Sequence, residues 1–371
     1  MTRRPSRQAR AAQWLLLLAV MAAAWFLASM AGANLARRHI PFGFGYLAGK
    51  ANFDIPFRLI SWSVGDTYFR ALVICILNTL LVSALAVVTA TVLGFLVGVM
   101  RLSNNWLVRN LALGFIELIR NTPQLVQIIF WYVAVLRTLP GPRQSIMLPG
   151  GMLLNIRGLY LPTPVFSPHA AILCPIALAL LLATPLLWRL RLRGVPVGAR
   201  SLVLPLLGMA LAVVSIDHVE LPHLQGFNIA GGVQVIPELV ALWAGISIYA
   251  AAFIAEIVRA AILSVHKGQR EAALSLGLRP RQVLSKIILP QALRVIIPPL
   301  TSQYLNIVKS SSLGAAVAYP ELFAMFAGTV MQQTDRAIET MAILMAIFLS
   351  FSLTTSMAMN WYNRHVALRG G

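Results

Sequence analysis

Charge is what this 371-residue sequence has least of: 11% of its residues are Asp, Glu, Lys or Arg, whereas 58% are apolar. Soluble domains carry about 25% charged and about 45–50% apolar residues, so a water-solvated surface cannot be built from this composition. Disordered, collagen-like and disulfide-rich secreted classes are excluded on the same ground. Acidic residues number 11 in all, most of them in loops or near the ends of apolar runs, which leaves few carboxylates for coupling transport to an ion gradient. Cysteine occurs twice, at Cys75 and Cys174, each inside an apolar stretch, where it reads as a small core residue rather than a metal ligand or half of a disulfide. A Walker A loop is missing, because the one Gly-Lys pair, Gly49-Lys50, is followed by Ala51 where Ser or Thr is needed to reach Mg²⁺. The six histidines show no H-E-x-x-H spacing. The formal charge of +19 does not point to nucleic acid, since the basic residues punctuate apolar runs and are not interleaved with aromatics as a stacking platform requires.

What is present is a series of long apolar runs. A bilayer core about 30 Å thick needs about 20 residues of helix. Eight runs meet or approach that length, near residues 13–32, 70–99, 111–137, 168–188, 201–216, 238–262, 293–316 and 338–360. The chain is therefore expected to be an all-α integral membrane protein of about eight helices. Residues 1–69 form an N-terminal helix and outer loop, 70–362 the membrane domain with an inserted helix pair at 168–216, and 363–371 a tail. The first run begins with Arg3, Arg4, Arg7 and Arg10, and Ala31-Gly32-Ala33 fits a signal-peptidase site. Its apolar stretch is longer than a signal core, which favours a retained helix. With the amino terminus inside, nineteen Lys and Arg fall on the cytoplasmic side, nine on the outer side, and Arg120 and Lys309 within runs. That bias predicts both termini in the cytoplasm. No half of the chain repeats, unlike the internally duplicated carriers.

The longest cytoplasmic loop runs from His266 to Pro280 and on to Pro290. Glu271 to Leu276 are helix formers or small residues. Gly277 can adopt the left-handed C′ conformation, Leu278 can supply the hydrophobic contact that follows it, and Pro280 blocks continuation while suiting the first turn of a second helix, which is expected to end near Leu289-Pro290. Ala272 and Ala273 leave the backbone of the first helix approachable, and Leu274 and Leu276 offer apolar anchors, the combination that helix-in-groove docking needs. A connecting loop with incidental helix is the plain alternative.

These residues carry a resemblance. Glu271-Ala272-Ala273, Gly277, then Ile287, Leu289 and Pro290 are similar in type and spacing to the EAA motif of ATP-binding-cassette importer permeases. Glu256-Ile257-Val258-Arg259, Lys267-Gly268-Gln269, the run from Arg120 to Gln127, and Lys309 to Leu313 resemble the polar amino acid branch of that family. The extra length at 168–216 resembles the longer permease subunit of general L-amino acid uptake systems. The resemblance implies a type I importer transmembrane domain in the bacterial inner membrane, without catalytic residues and without a cofactor of its own. ATP would be bound by a cytoplasmic ATPase dimer, a periplasmic amino-acid-binding protein would deliver substrate, and a second permease subunit would complete a heterodimer. Arg270 to Gly277 would seat in a cleft of the ATPase, with Glu271 orienting the helix and Gly277 setting its turn.

Polar groups within the runs are the remaining candidates, because a charge at mid-bilayer costs about 2.5–3.5 kcal/mol on insertion scales. Glu256 with Arg259, and Glu117 with Arg120, are spaced to pair on one helix face and are expected to be structural. Ser302, Asn306, Lys309 and Leu313 follow one helical face, flanked by Gln303 and Ser310. A wet face of this kind lines a cavity or a subunit interface rather than lipid. Lys309 either meets a substrate carboxylate or pairs with Glu321. Gln124 and Gln127 are candidates for the same translocation pathway, against the plain role of hydrogen-bonding between helices. A secondary transporter driven by an ion gradient is the competing class, and an integral-membrane enzyme a third that lacks any visible constellation.

Overall fold

A computed structural model describes residues 13–23, 25–26, 29–30, 43–192, 200–226 and 228–367. The signal-peptidase question at Ala31–Ala33 and the last four residues lie outside them. The first described helix is Gln13–Ala23 (α1). Tyr68–Met100 (α2) is 33 residues long and apolar on every face, and the Thr67 hydroxyl oxygen accepts the Arg70 N–H at its start. Trp106–Arg120 (α3) follows a turn in which Asn105 Oδ1 accepts from the Leu107 and Val108 N–H groups. Gln124–Ile129 (α4) widens into a π-type turn over Phe130–Leu136. Ala170–Leu192 (α5) and Arg200–Val214 (α6) form the inserted pair, and Pro237–Ser264 (α7), Lys267–Ser275 (α8) and Pro280–Val283 (α9) come next. A second π-type turn, Leu284–Ile288, carries α9 into Leu289–Ser310 (α10), which tightens to a 3₁₀ helix over Ser311–Val317. Met331–Thr334 (α11) and Ala337–Ala367 (α12) complete the order.

Each of the eight apolar runs contains a helix, but among the described residues four stretches are long and apolar enough to cross a bilayer: Tyr68–Met100, Pro237–Ser264, Pro280–Val317 and Ala337–Tyr362. Three expectations need correction. The run at 111–137 is not one helix. Asn121–Pro123 break it, because Pro123 has no N–H to give and disfavours helix in the residue before it; Gln127 Nε2 donates to the Thr122 carbonyl across the break. The α3 side of the break is amphipathic and buries only Ala112 and Ile116. The helix after Pro280 does not end at Leu289-Pro290 either. Pro290 is the second residue of α10, directly after the π-type turn, and the helix runs on through it. The fold is mostly helical rather than all-α, since the described residues hold eight short strands: Ile146–Leu148 (β1), Met152–Asn155 (β2), Gly158–Leu161 (β3), Thr163–Phe166 (β4), Ile216–Glu220 (β5), His223–Gln225 (β6), Asn228–Ala230 (β7) and Val233–Val235 (β8).

The chain divides into two compact units, residues 1–120 with 250–371, and residues 121–249. In the first, α2 packs against the second half of α7 through Gly94 and Gly98. A methyl on Gly94 would stand 2.6 Å from Ile254 Cβ, and one on Gly98 2.7 Å from the Ala255 carbonyl oxygen. Two glycines one turn apart therefore bring the helix backbones together, the small-residue packing that replaces hydrophobic driving force between helices in lipid. Thr91 hydrogen-bonds Tyr304 at 2.9 Å, tying α2 to α10. Residues 43–67 fold back as a collar over the start of α2, where Ala51, Ile55 and Trp62 join Ile74, Leu322, Phe326 and Leu344 in one core. The collar is latched to α12 through Gly43, whose N–H donates to Glu339 (2.8 Å) and whose carbonyl accepts from Arg336.

In the second unit, Gly245 of α7 lies against α4, with Ile128 Cα 3.0 Å from where its Cβ would be. The strands form antiparallel sheets in the order β1-β2-β3-β8, with the smaller pairs β4-β5 and β6-β7. The turn between β2 and β3 depends on Gly158, at φ +119°, where any side chain would collide with the Val235 carbonyl. The α5 and α6 helices pack on each other, with Gly208 against Ala177 and Leu181, and β4-β5 joins their outer ends through the pairing of Phe166 with Ile216.

Candidate coupling helix and polar membrane sites

The EAA segment folds as a short helix with defined ends. His266 caps α8 by accepting the Gly268 N–H on Nδ1. At the other end Gly277 adopts φ +79°. The Leu278 N–H donates to the Ala273 carbonyl at 3.2 Å and the Gly277 N–H to the Leu274 carbonyl at 2.9 Å. That pair of bonds is a Schellman motif, which fixes the exit direction of the chain. Arg279 then opens α9, its N–H donating to Gln282 Oε1 at 3.0 Å. Nothing lies within 4 Å of a methyl placed on Gly277, so its requirement is conformational and not steric.

The two alanines divide their roles. Ala273 is 4% exposed and packs inward, while Ala272, Glu271, Ser275 and Leu276 are exposed. Leu274 is partly open, and Leu276, at 82% exposure, is the most exposed apolar residue of the segment. The sequence treats Ala272 and Ala273 alike as approachable backbone; the structure leaves that to Ala272. Ile287 and Leu289 are half-buried within the π-type turn and the first residue of α10, and Pro290 is exposed.

The intramembrane pairs separate. Arg259 chelates Glu256, its Nε lying 3.1 and 3.0 Å from the two carboxylate oxygens, and Arg120 and Arg101 add to the positive field on Glu256. The second pair does not form. Arg120 instead places its guanidinium over the Phe253 ring, 5.2 Å from the centroid, a cation–π contact that holds α3 to α7, and Glu117 points into the open. Lys309 does not reach Glu321 either: it is exposed and makes no ion pair among the described residues. Ser302, Asn306 and Lys309 lie together on the open face of α10 with Gln303 and Ser310 half-buried beside them, opposite a buried face of Ala292, Ile296, Leu300 and Ile307. Ser311 is fully buried and donates to the Val308 carbonyl one turn earlier at 2.7 Å. Gln124 and Gln127 belong to the other unit, in the first turn of α4, with Gln127 buried.

A buried polar knot that the sequence reading did not anticipate joins α2 to the turn after the 3₁₀ helix. Asn78 Nδ2 donates to the Phe57 and Pro320 carbonyls, both at 2.9 Å. The Tyr319 hydroxyl donates to the Asn78 carbonyl, and Thr79 accepts the Leu322 N–H. Glu321, 0% exposed, accepts the N–H groups of Phe323 and Ala324 at 2.7 and 2.6 Å, capping the helical segment that follows. Ala318, at φ +58°, turns the chain into this knot. The legible signals were polar Asn78 and Thr79 inside an apolar run and Pro320-Glu321 ahead of another, a helix-start pattern.

A chain of long apolar helices with a short capped helix between two of them and no nucleotide loop defines a class, and comparison gives the family. Residues 90–368 match the family described as the binding-protein-dependent transport system inner membrane component, and the chain belongs to it. Among its relatives, the putative amino-acid ABC transporter permease protein YhdX of Escherichia coli (strain K12) is 47% identical over 98% of this chain and 95% of its own length. The general L-amino acid transport system permease protein AapQ of Rhizobium johnstonii is 43% identical over 96% of this chain and 91% of its own. The glutamate/glutamine/aspartate/asparagine transport system permease protein BztB of Rhodobacter capsulatus is 36% identical over 96% and 93%. A crystal structure of an amino acid ABC transporter with histidines aligns over 80% of this chain and 95% of that one, at 21% identity and a TM-score of 0.49.

Proposed function

We propose that the chain is a permease subunit of a bacterial inner-membrane importer that moves L-amino acids into the cytoplasm, with the type I arrangement and both termini cytoplasmic. Energy comes from ATP bound and hydrolysed by a separate ATPase dimer. A periplasmic amino-acid-binding protein delivers the substrate, and a second permease subunit completes a heterodimer. The chain itself carries no catalytic residue. In this reading α8 docks in the ATPase through Glu271, Ala272 and Leu276, and Ile287, Leu289 and Pro290 pass its displacement directly into α10. The open polar face of α10, from Ser302 through Asn306 to Lys309, with Gln303 and Ser310, faces the translocation path. The pair Glu256–Arg259 stabilises α7 and takes no part in transport.

The observation that carries the reading is the Schellman-capped α8, a rigid two-turn helix whose exposed face is separate from the face packed on its own chain. Its test is Gly277→Leu. A leucine at φ +79° costs about 1–2 kcal/mol of backbone strain, too little to prevent insertion but enough to re-aim the helix. The variant is expected in the membrane at normal amount, with ATP-dependent amino acid uptake and ATPase co-purification both lost. Glu271→Lys, at an exposed position, should behave alike. Normal uptake by both would refute docking through α8, and uptake that stops on collapse of the proton gradient rather than on loss of ATP hydrolysis would replace the whole reading with a secondary transporter.

A further inference from the structure

A cleft of about 480 Å³ opens between the end of α2, the α2–α3 turn, α8 and the α9–α10 segment. Its walls are apolar, with Met100, Ile262 and Leu284 among them, and its polar lining comes from Ser103, Asn104 and Arg270. No acidic residue lines it, and Arg270 makes no ion pair or hydrogen bond among the described residues. The cleft sits where α2 stops at Met100, α7 stops at Ser264 and the Pro280–Val317 stretch begins. Three membrane-length helices end around the cleft, and at 1.5 Å per residue each is long enough to span the hydrocarbon and reach the headgroup region. Apolar walls below and a lone guanidinium above match an acyl chain with an anionic headgroup: the walls are covered by hydrocarbon, and the planar guanidinium takes a phosphate by paired hydrogen bonds.

The face of α8 argues for lipid over the ATPase. Arg270 lies one turn before buried Ala273 and lines the cleft, whereas Glu271 and Ser275, both exposed, project from the side of the helix opposite Ala273. Docking through Glu271 leaves Arg270 turned toward the chain and the membrane. Cytoplasmic leaflets are anionic and draw in basic segments of this kind.

We propose that this cleft binds one anionic phospholipid, which spans the gap between the α2–α3 turn and the coupling helix. The inference requires α8 to stand at the headgroup level and does not depend on which solute is carried. Its test uses the full chain, in its transporter complex, in vesicles of phosphatidylglycerol and phosphatidylcholine. A photoreactive phenylalanine analogue at Val108, which lines the cleft, is expected to yield a phosphatidylglycerol adduct. Native mass spectrometry should show phosphatidylglycerol retained through detergent purification, and Arg270→Gln should lower that retention by about tenfold, the effect of losing one charge-assisted contact. Arg270 is exposed, so the variant should melt like the parent, and Val108→Trp should remove retention by filling the cleft. Glycerol phosphate without acyl chains should not suppress the adduct. An adduct to the ATPase, equal retention of both lipids, unchanged retention in Arg270→Gln, or full competition by glycerol phosphate would each overturn the proposal.

Discussion

The crossing of α2 with α7 and the α5–α6 hairpin are both made of apolar helices, yet they are held together to different tolerances. At Gly94 and Gly98 an added methyl would stand 2.6–2.7 Å from Ile254 or the Ala255 carbonyl, closer than real Cβ atoms approach. At Gly208 in the hairpin, the nearest atoms to the same methyl are 3.1 Å away, two of the three neighbours being side-chain atoms of Leu180 and Leu181. The first interface leaves no room for a methyl, because the Ile254 and Val258 Cβ atoms and the Ala255 carbonyl, all fixed close to their own backbone, stand within 3.0 Å of it; the second is looser by about half an ångström and can yield. Apolar composition alone therefore says little about which helices carry the architecture. The α7 helix of that crossing also carries the Glu256–Arg259 pair and meets α3 through Arg120 over Phe253, while the hairpin connects to the β4-β5 pair.

Substitutions can break this contrast. The largest effect is expected for Gly98→Val, whose branched side chain must displace the Ala255 carbonyl and Val258. Overpacking of this severity costs about 3 kcal/mol, and thermal melting in detergent should show loss of the folded chain. A Gly98→Val protein with the parent's melting temperature would mean that the α2–α7 approach is soft. An intermediate effect is expected at Gly158→Val, where φ +119° and the Val235 carbonyl both oppose a side chain. That change should unfold the β1-β2-β3-β8 sheet, read as protease cleavage within residues 146–166, while α8 still co-purifies the ATPase. The smallest effect is expected at Gly208→Ala. The helix gains about 1 kcal/mol of propensity from alanine, which offsets the few tenths of an ångström that Leu180, Leu181 and the Ala177 carbonyl must give, so the melting temperature should stay within a few degrees. A collapse there as deep as at Gly98 would erase the distinction.

Legibility followed the range of the interaction. The turn at Gly277 was readable because a Schellman motif is closed by residues within a span of six, from Ala273 to Leu278. The pair Glu256–Arg259 was readable for the same reason. Glu117 and Arg120 have identical spacing, but Phe253 lies within reach of Arg120, and nothing in the local sequence announces a ring from another helix. Likewise Lys309 and Glu321 were a reasonable pair by sequence distance, until the Phe323 and Ala324 amides claimed the carboxylate. The helix break at Pro123 was written in the sequence and was overridden in the reading by the length of the apolar run.

By itself, the order of residues decided that this chain lives in a bilayer, where its apolar runs lie, and that a short helix through Glu271 to Leu276 stops at Gly277, because hydropathy and C-capping are settled within one or two turns. Only the tertiary structure decided which helices touch through glycine, which arginine finds a carboxylate and which a ring, and that the loops at 146–166 and 216–235 pair as strands. Those outcomes turn on distances between residues tens to hundreds of positions apart, and a one-dimensional pattern carries no measure of them.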